Sequence, residues 1–488
     1  MLTKVINQAS WSMLGSIFGF AVGFFVKMYL IRAVGMDDFG KYIIGQTVVS
    51  TVTVFIALAV PQILLRYLPA LLAKGKQEQA DHLASFGLQY SLGIGALSAV
   101  VVMLFHYQIA GIFAEADQTL KEIVFYSALY IPLTLYMSTL YAAYRSLLKI
   151  REIVFYGTFV IISVRAILTF VVFTFTDDIR YFVWIEVLTL IFVVIIMTFK
   201  FDRSKLSILV PFPIRQVFEH LETIRFGKKM YFYALVGFGE GYAILLIMST
   251  SLPASDIGVY TILTTIAGLS AFLLVNLNSV FAPLISKLSA VGEMEKLEYL
   301  FKDSTFIVNI ITAPFIVLLM LFAKDILALY GDNVAMFVTP LAILVFGSYI
   351  NLFVGNSGML LLMGGRENDE IYIKVGNVIL MLGLSLWLIP RFGLEAAVWL
   401  NTSSLILINL LHVFFVKKRY GFTPWTVSSL WLLVMTLGVI GVTGYYRPDY
   451  VGQVSDYLLY TVIILAVYWL PFYKKIMSVV QMIKHERQ

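Results

Sequence analysis

The chain has 488 residues, of which 60% are apolar and only 13% charged, with a mean hydropathy of +0.89. Soluble domains run at roughly 45–50% apolar and 25% charged, so this composition points to an all-α polytopic membrane protein. The absence of cysteine excludes disulfides, thiolate metal sites and cysteine nucleophiles, and five scattered histidines without an H-E-x-x-H pattern give no metal signature. The net charge of +6 follows membrane topology, as shown below, and implies no nucleic-acid partner.

A hydrocarbon layer about 30 Å thick needs roughly 20 apolar residues per helix. Stretches of that length recur fourteen times, with centres near Phe20, Val54, Ala96, Leu135, Ala166, Leu190, Ala243, Leu269, Ile316, Val345, Met381, Ile406, Met435 and Ala466. The first is too long for the apolar part of a signal peptide and is expected to be retained. Alternate connections, from Lys4 through Arg66–Lys76, Arg145–Arg151, Lys200–Lys229 and onward to the tail at Lys474, hold 26 of the 35 basic residues. The opposite set holds 7, which places both termini in the cytoplasm. The longest connection includes "PIRQVFEHLETIRFGKK", whose apolar residues recur at helical spacing among charges, as in a helix that either lies on the cytoplasmic leaflet or serves as a mere connector. No soluble catalytic domain fits between the spans, so no catalytic residue and no enzyme activity is expected.

The chain also echoes itself. "DDFGKYIIGQTVVSTVTVF" after the first span resembles "SDIGVYTILTTIAGLSAF" after the seventh, with Asp38, Gly40 and Tyr42 matching Asp256, Gly258 and Tyr260 in one register. "AKGKQEQADHL" and "SAVGEMEKLEY" pair in nearly that register, as do "REIVFYGT" and "DEIYIKVGN". A repeat of six spans, an even number, keeps its orientation and gives two bundles related by a pseudo-two-fold axis along the membrane normal. The expected domains are residues 1–200 (helices one to six), a connector at 201–229, residues 230–418 (helices seven to twelve) and 419–488 (two appended helices and a tail). A substrate site is expected between the bundles near the midplane.

Four ionisable residues stand out within the spans. Arg165 sits in "FVIISVRAILTFVVF", about twelve residues into its helix, hence about 15–18 Å from either end and beyond a snorkelling reach of roughly 6–7 Å. Facing lipid there costs on the order of 2.5–3.5 kcal/mol, so Arg165 faces protein or water. One reading makes it the ligand of an anion; the other pairs it with Glu186 on the next helix at similar depth; the two can coexist. Lys27, about five residues below Arg32, either lines a cavity or snorkels. Two cations in one intramembrane cavity suit an anionic ligand, and the guanidinium fork suits phosphate oxygens. The register that matches Asp38 to Asp256 sets Arg165 against Gly383, so this charge belongs to one bundle only. Glu240, in "VGFGEGYAILL", is either a coupling site for a proton or a sodium ion or a counter-ion to Arg165 or Lys27, and the glycines around it permit close helix packing. Asn276, Asn278, Asn377, Asn401 and Asn409 read as interhelical hydrogen bonds, and Glu395 and His412, near helix ends, carry no direct role.

"RAVGMDDFGKY" resembles the first hairpin of bacterial polysaccharide transporters of the Wzx type, in the multidrug/oligosaccharidyl-lipid/polysaccharide superfamily. "LIPRFGLEAAVWLNTSSLI" resembles a signature of their C-terminal half, with Glu395 and Ala396 where the pattern usually has Glu-Gly or a similar small pair. The resemblance implies a fourteen-helix fold in two bundles in the bacterial inner membrane. It also implies a cationic central cavity and the flipping of undecaprenyl-diphosphate-linked oligosaccharide, such as an O-antigen repeat unit, from the cytoplasmic to the periplasmic leaflet. Membrane lipids and polysaccharide polymerase machinery are the further partners implied, with no cofactor beyond a coupling proton or sodium ion. The alternatives from the same superfamily are a cation-coupled multidrug exporter, which should prefer acidic cavity residues, and a lipid II flippase, whose anionic head is chemically similar.

Overall fold

The computed structural model describes residues 2–201, 206–208, 210, 221–445 and 454–473. Among these every regular element is helical. The first half runs α1 Leu2–Val34, α2 Met36–Ile56, α3 Val60–Ala73, α4 Gln77–Leu104, α5 His106–Ala110, α6 Gln118–Ser127, α7 Tyr130–Ser146, α8 Ile150–Val154, α9 Ile161–Val172 and α10 Arg180–Phe199. The second half follows with α11 Leu221–Ser251, α12 Ala254–Gly268, α13 Phe272–Val291, α14 Met294–Leu321, α15 Ala323–Ala328, α16 Val338–Val354, α17 Ser357–Met363, α18 Glu367–Tyr420, α19 Val427–Tyr445 and α20 Val454–Trp469.

All fourteen expected span centres fall on helical segments. Among the described residues, ten helices are long and apolar enough for a full crossing, and Val60–Ala73, Val427–Gly441 and Asp456–Trp469 are shorter apolar helices. The protein is a multi-pass membrane protein. The two counts differ because several spans are interrupted or fused. α18 is two helices joined at Gly393 (φ 62°, ψ −142°), three residues after Pro390, and α12 passes to α13 through the 3-10 turn Leu269–Ala271. Of the amphipathic connector, Pro213–His220 lies outside the described residues, as does the basic tail from Lys474, while Leu221 onward is continuous with α11.

The break between α2 and α3 shows how the sequence interrupts a span. Pro61 has no N–H and its ring opposes the carbonyl four residues back, at Ala57, so the helix cannot run through. The chain turns instead through Leu58 (φ 44°) and Ala59 (φ 56°), left-handed conformations costing non-glycine residues on the order of 1–3 kcal/mol each. Within a membrane the freed carbonyls must find donors. The Tyr90 hydroxyl donates to Ile56 O at 2.8 Å, and that of Tyr231 to Phe55 O at 3.0 Å.

The chain divides into two compact units, Met1–Val259 with Ile389–Gly393, and Tyr260–Leu388 with Leu394–Gln488. In the first, α3, α4 and α7 pack around Leu64, Leu68, Leu88, Leu140 and Tyr144, with Val193 and Met197 of α10 against them. Small residues set the helix spacing there, as expected where lipid offers no hydrophobic drive for association: Ala80 and Ala84 are buried on α4, and Gly95 lets Pro132 of α7 approach the α4 backbone. The second unit has its own core of Ile285, Leu297, Phe301, Leu361, Ile373, Val416 and Phe422.

Candidate anion-binding site

Arg165 lies in a span running Ile150–Val172, in which a π-helical segment, Phe155–Val160, links α8 to α9. Such segments are rare and recur at functional sites. Here Gly157 makes room for the Tyr141 ring of α7, since an added Cβ would stand 2.0 Å from its hydroxyl. The helix ends at Val172, seven residues beyond Arg165, so the guanidinium lies about 10 Å from that end, nearer than the 15–18 Å expected. The apolar run continues through Phe173 and Phe175 after the helix has turned, with Phe175 N–H donating to Val172 O. Apolarity therefore overstates helix length here. The remaining depth still exceeds a snorkelling reach of roughly 6–7 Å.

Arg165 and Glu186 meet. Arg165 Nη1 is 2.7 Å from Glu186 Oε1, and the side chains are 22% and 5% exposed. Tyr42 and Gln46, one turn apart on the same face of α2, both donate to the other oxygen, Glu186 Oε2, at 2.9 and 2.7 Å. Arg165 Nη2 donates to the Tyr130 hydroxyl of α7 at 3.3 Å, while Arg165 Nε is buried and has no hydrogen-bond partner among the described residues. The Tyr42 ring packs edge-on to Phe182, one turn before Glu186 on α10.

Lys27 joins this layer. It lies seven residues before the end of α1, Tyr42 and Glu186 six residues after the starts of α2 and α10, and Arg165 seven before the end of α9. At 1.5 Å per residue all four sit about 9–11 Å from helix ends on one face of the membrane, and Lys27 is half-buried within electrostatic reach of Glu186. Arg165, Lys27 and Glu186 thus come together with Tyr42, Gln46 and Tyr130 from α1, α2, α7, α9 and α10. Glu186 is saturated with donors while Arg165 keeps a spare one. It lies nearer one face than the expected midplane position.

Glu240 comes from a further helix. It is half-buried on α11, whose neighbours are α2 and α3. An added Cβ at Gly237 or Gly241 would meet nothing within 4 Å among the described residues, so these two glycines do not serve close packing as expected. The asparagine expectation holds where side chains are described: Asn377 donates to Ser404 Oγ, Asn401 to the Tyr260 hydroxyl and Asn409 to Asn351 Oδ1. The side chains of Asn276 and Asn278 lie outside the described residues.

Sequence reasoning missed Tyr42, Gln46 and Tyr130, which have no charge to flag them. Tyr42 did carry a signal, since it belongs to the repeated stretch. Also missed was a second buried charged cluster, in the second unit: His412 Nε2 lies 2.7 Å from Glu370 Oε2, and Lys374 Nζ 3.8 Å from Glu370 Oε1. A cavity of about 480 Å³ in that unit, lined by Val427, Ser428, Trp431, Met435 and Phe472, is mostly apolar and has no charged residue in its lining.

Residues 29–339 match the family described as polysaccharide biosynthesis protein. The chain belongs to that family. A curated relative, the "Probable flippase AglR" of Haloferax volcanii, is 23% identical over 222 residues; the match covers 44% of this chain and spans about half (46%) of the relative's length. Among solved structures, the lipid II flippase MurJ in an inward closed conformation superposes with a TM-score of 0.71 at 14% identity, over 96% of this chain and 99% of that one. A MATE transporter in complex with MaD3S gives 0.61 at 13% identity, over 86% and 96%. A transporter of the same superfamily from Pyrococcus furiosus, whose binding pocket is described as having reverse polarity, gives 0.59 at 12%, over 86% and 95%. At these identities the likeness is one of fold.

Proposed function

We propose that this member of the polysaccharide biosynthesis family is a flippase. In this reading it moves undecaprenyl-diphosphate-linked oligosaccharide from the cytoplasmic to the periplasmic leaflet of a bacterial inner membrane by alternating access. Fourteen crossings in two six-helix bundles with two appended helices, and both termini in the cytoplasm, are parts of the same proposal. The observation that carries it is the Arg165 guanidinium within the membrane-spanning layer, paired with Glu186 yet with its Nε buried and, among the described residues, without a hydrogen-bond partner. A guanidinium held in low dielectric binds an anion strongly and repels a cation.

Glu186 acts in this reading as a resident counter-ion. It keeps the guanidinium neutralised and oriented between substrates, held in turn by Tyr42 and Gln46. An arriving diphosphate takes the bare Nε and then competes for Nη1, so that its desolvation is offset by charge-assisted hydrogen bonds. The prenyl tail stays in lipid. The sign of the cluster disfavours a cationic-drug exporter. Glu240 is the proposed coupling carboxylate for a proton or sodium ion: Glu240→Gln should remove the dependence of transport on the ion gradient while leaving headgroup binding intact.

The test of the main reading is Arg165→Ala in a strain lacking its own flippase. Surface polysaccharide should disappear and lipid-linked oligosaccharide accumulate, measured by mass spectrometry, at normal membrane abundance of the variant. Surface polysaccharide persisting at wild-type level would overturn the role of Arg165.

A further inference from the structure

The register of the repeat maps Met36 onto Ala254 and Gly40 onto Gly258, the first turns of α2 and α12. Both turns lie in the first compact unit, and they touch. A Cβ on Gly40 would stand 1.7 Å from Ala254 O and 2.4 Å from its carbonyl carbon; a Cβ on Gly258 would stand 2.8 Å from Met36 O and 3.0 Å from Met36 Sδ. Each glycine therefore lies against the partner repeat's residue four positions earlier. Such reciprocity, in which one position meets another and their equivalents meet in exchange, is what a two-fold axis through the contact produces. Neither glycine has a positive φ, so close backbone approach, and not conformational freedom, is what excludes a side chain.

Other tight glycines of the unit behave differently. A Cβ on Gly45 would meet Ile123 at 2.6 Å, on Gly87 Leu64 at 2.8 Å and on Gly95 Pro132 at 2.6 Å. Their equivalents in the second repeat are Leu263, Thr305 and Ala313. Those contacts are ordinary packing within one bundle, and of these tight positions only the pair at 40 and 258 is glycine in both repeats. Few bonds brace it. Glu115 Oε2 accepts the Ala254 N–H at 2.9 Å and Ala114 N–H donates to Ser249 O at 3.1 Å. On the α2 side Lys41 Nζ is held by Asp37 and Asp117, each at 2.7 Å.

We propose that Gly40 and Gly258 form the outer seal of the transport path, a close backbone approach on the pseudo-two-fold axis that must part before a headgroup leaves. The inference rests on the transport reading above and on the charge bias that puts this face outside. The glycines bring the two backbones together with the Met36 side chain lying against Gly258, and parting the contact breaks the hydrogen bonds of Ala254 with Glu115 and of Ala114 with Ser249. The Lys41 clamp keeps the first turn of α2 rigid, so that the seal opens as a unit.

The chain has no cysteine, so single thiols report without background. With Ser50→Cys, ten residues further along α2 than Gly40, labelling by a membrane-impermeant maleimide added from outside should be slow. Adding Gly40→Ala or Gly258→Ala should raise it at least tenfold, and Glu115→Ala, which forces no clash, severalfold. Adding Gly95→Ala, equally crowded but inside one bundle, should leave it unchanged. Unchanged labelling in the Gly40, Gly258 and Glu115 variants, or an equal rise in the Gly95 variant, would overturn the proposal. Labelling needs no substrate: a rise in a protein that carries no lipid-linked sugar would sink the flippase reading and leave the seal standing, whereas unchanged labelling in an active flippase would do the reverse.

Discussion

Tyr42 and Tyr260 stand at equivalent positions of the repeat, and each buries its hydroxyl against a polar side chain of another helix. Tyr42 donates to the carboxylate of Glu186, which also binds Arg165 and Gln46. Tyr260 accepts from the neutral amide of Asn401 at 2.8 Å. Around Tyr260 the described interhelical bonds are likewise neutral, Asn377 to Ser404 and Asn409 to Asn351, and the charged cluster at Glu370 and His412 lies toward the other ends of its helices. The architecture thus asks for a hydrogen bond at this position in both bundles but for charge in only one. Charge beyond that shared requirement costs desolvation, so the difference marks where a specific task has been added to a common frame.

Experiments that erase the difference should have the largest effects in the first bundle. Glu186→Gln removes the carboxylate that holds the Arg165 guanidinium. Removing one partner of a buried pair costs about 3–5 kcal/mol, and the solubilised protein should lose thermal stability accordingly; a negligible shift would show that the pair is solvated. Next, Tyr42→Phe removes one donor from a charged acceptor, worth about 1.5–3 kcal/mol, and should lower flipping severalfold. Tyr260→Phe should cost about 1 kcal/mol and leave flipping unchanged, as followed by surface polysaccharide. Equal losses of activity from the two tyrosine variants would break the comparison.

How much of this was legible in the sequence differs by level. The spans could be read because apolar runs of membrane length have few other uses, and Arg165 with Glu186 because charge is conspicuous there. The break at Leu58 and Ala59 could not be seen, since nothing in those residues announces a left-handed backbone; only Pro61 hinted at it. Tyr42 and Gln46 were hidden because a tyrosine or glutamine in a span is unremarkable until its partner across the bundle is known. Gly40 and Gly258 appeared in the repeat as matched letters, but the reason for the match, their mutual approach, exists only in three dimensions.

Smaller effects sharpen the contrast. Gly237→Ala on α11 meets open space and should stabilise the helix by about 0.5–1 kcal/mol, raising the melting temperature, where Gly40→Ala lowers it. The outer bracing should depend weakly on pH. Burial raises the proton affinity of Asp117, but the Lys41 ammonium and the Leu120 N–H outweigh it and hold the carboxyl below its usual range. A depressed carboxyl contributes stability above the unfolded-state value near 3.9 and loses it as pH falls through the folded one. Thermal melts of wild type and Asp117→Asn should therefore differ at pH 7 and draw together as the pH falls below the usual carboxylate range.

The most direct test of the central claim neutralises the pair as a pair. Arg165→Gln with Glu186→Gln leaves no unpaired buried charge between these two positions, so a purely structural ion pair would be replaced with stability largely restored. If Arg165 binds the diphosphate, the double variant should regain the stability of the wild type in a thermal melt yet carry no lipid-linked oligosaccharide, with surface polysaccharide absent. Recovery of both stability and surface polysaccharide would contradict the account and leave Arg165 and Glu186 as a scaffold element.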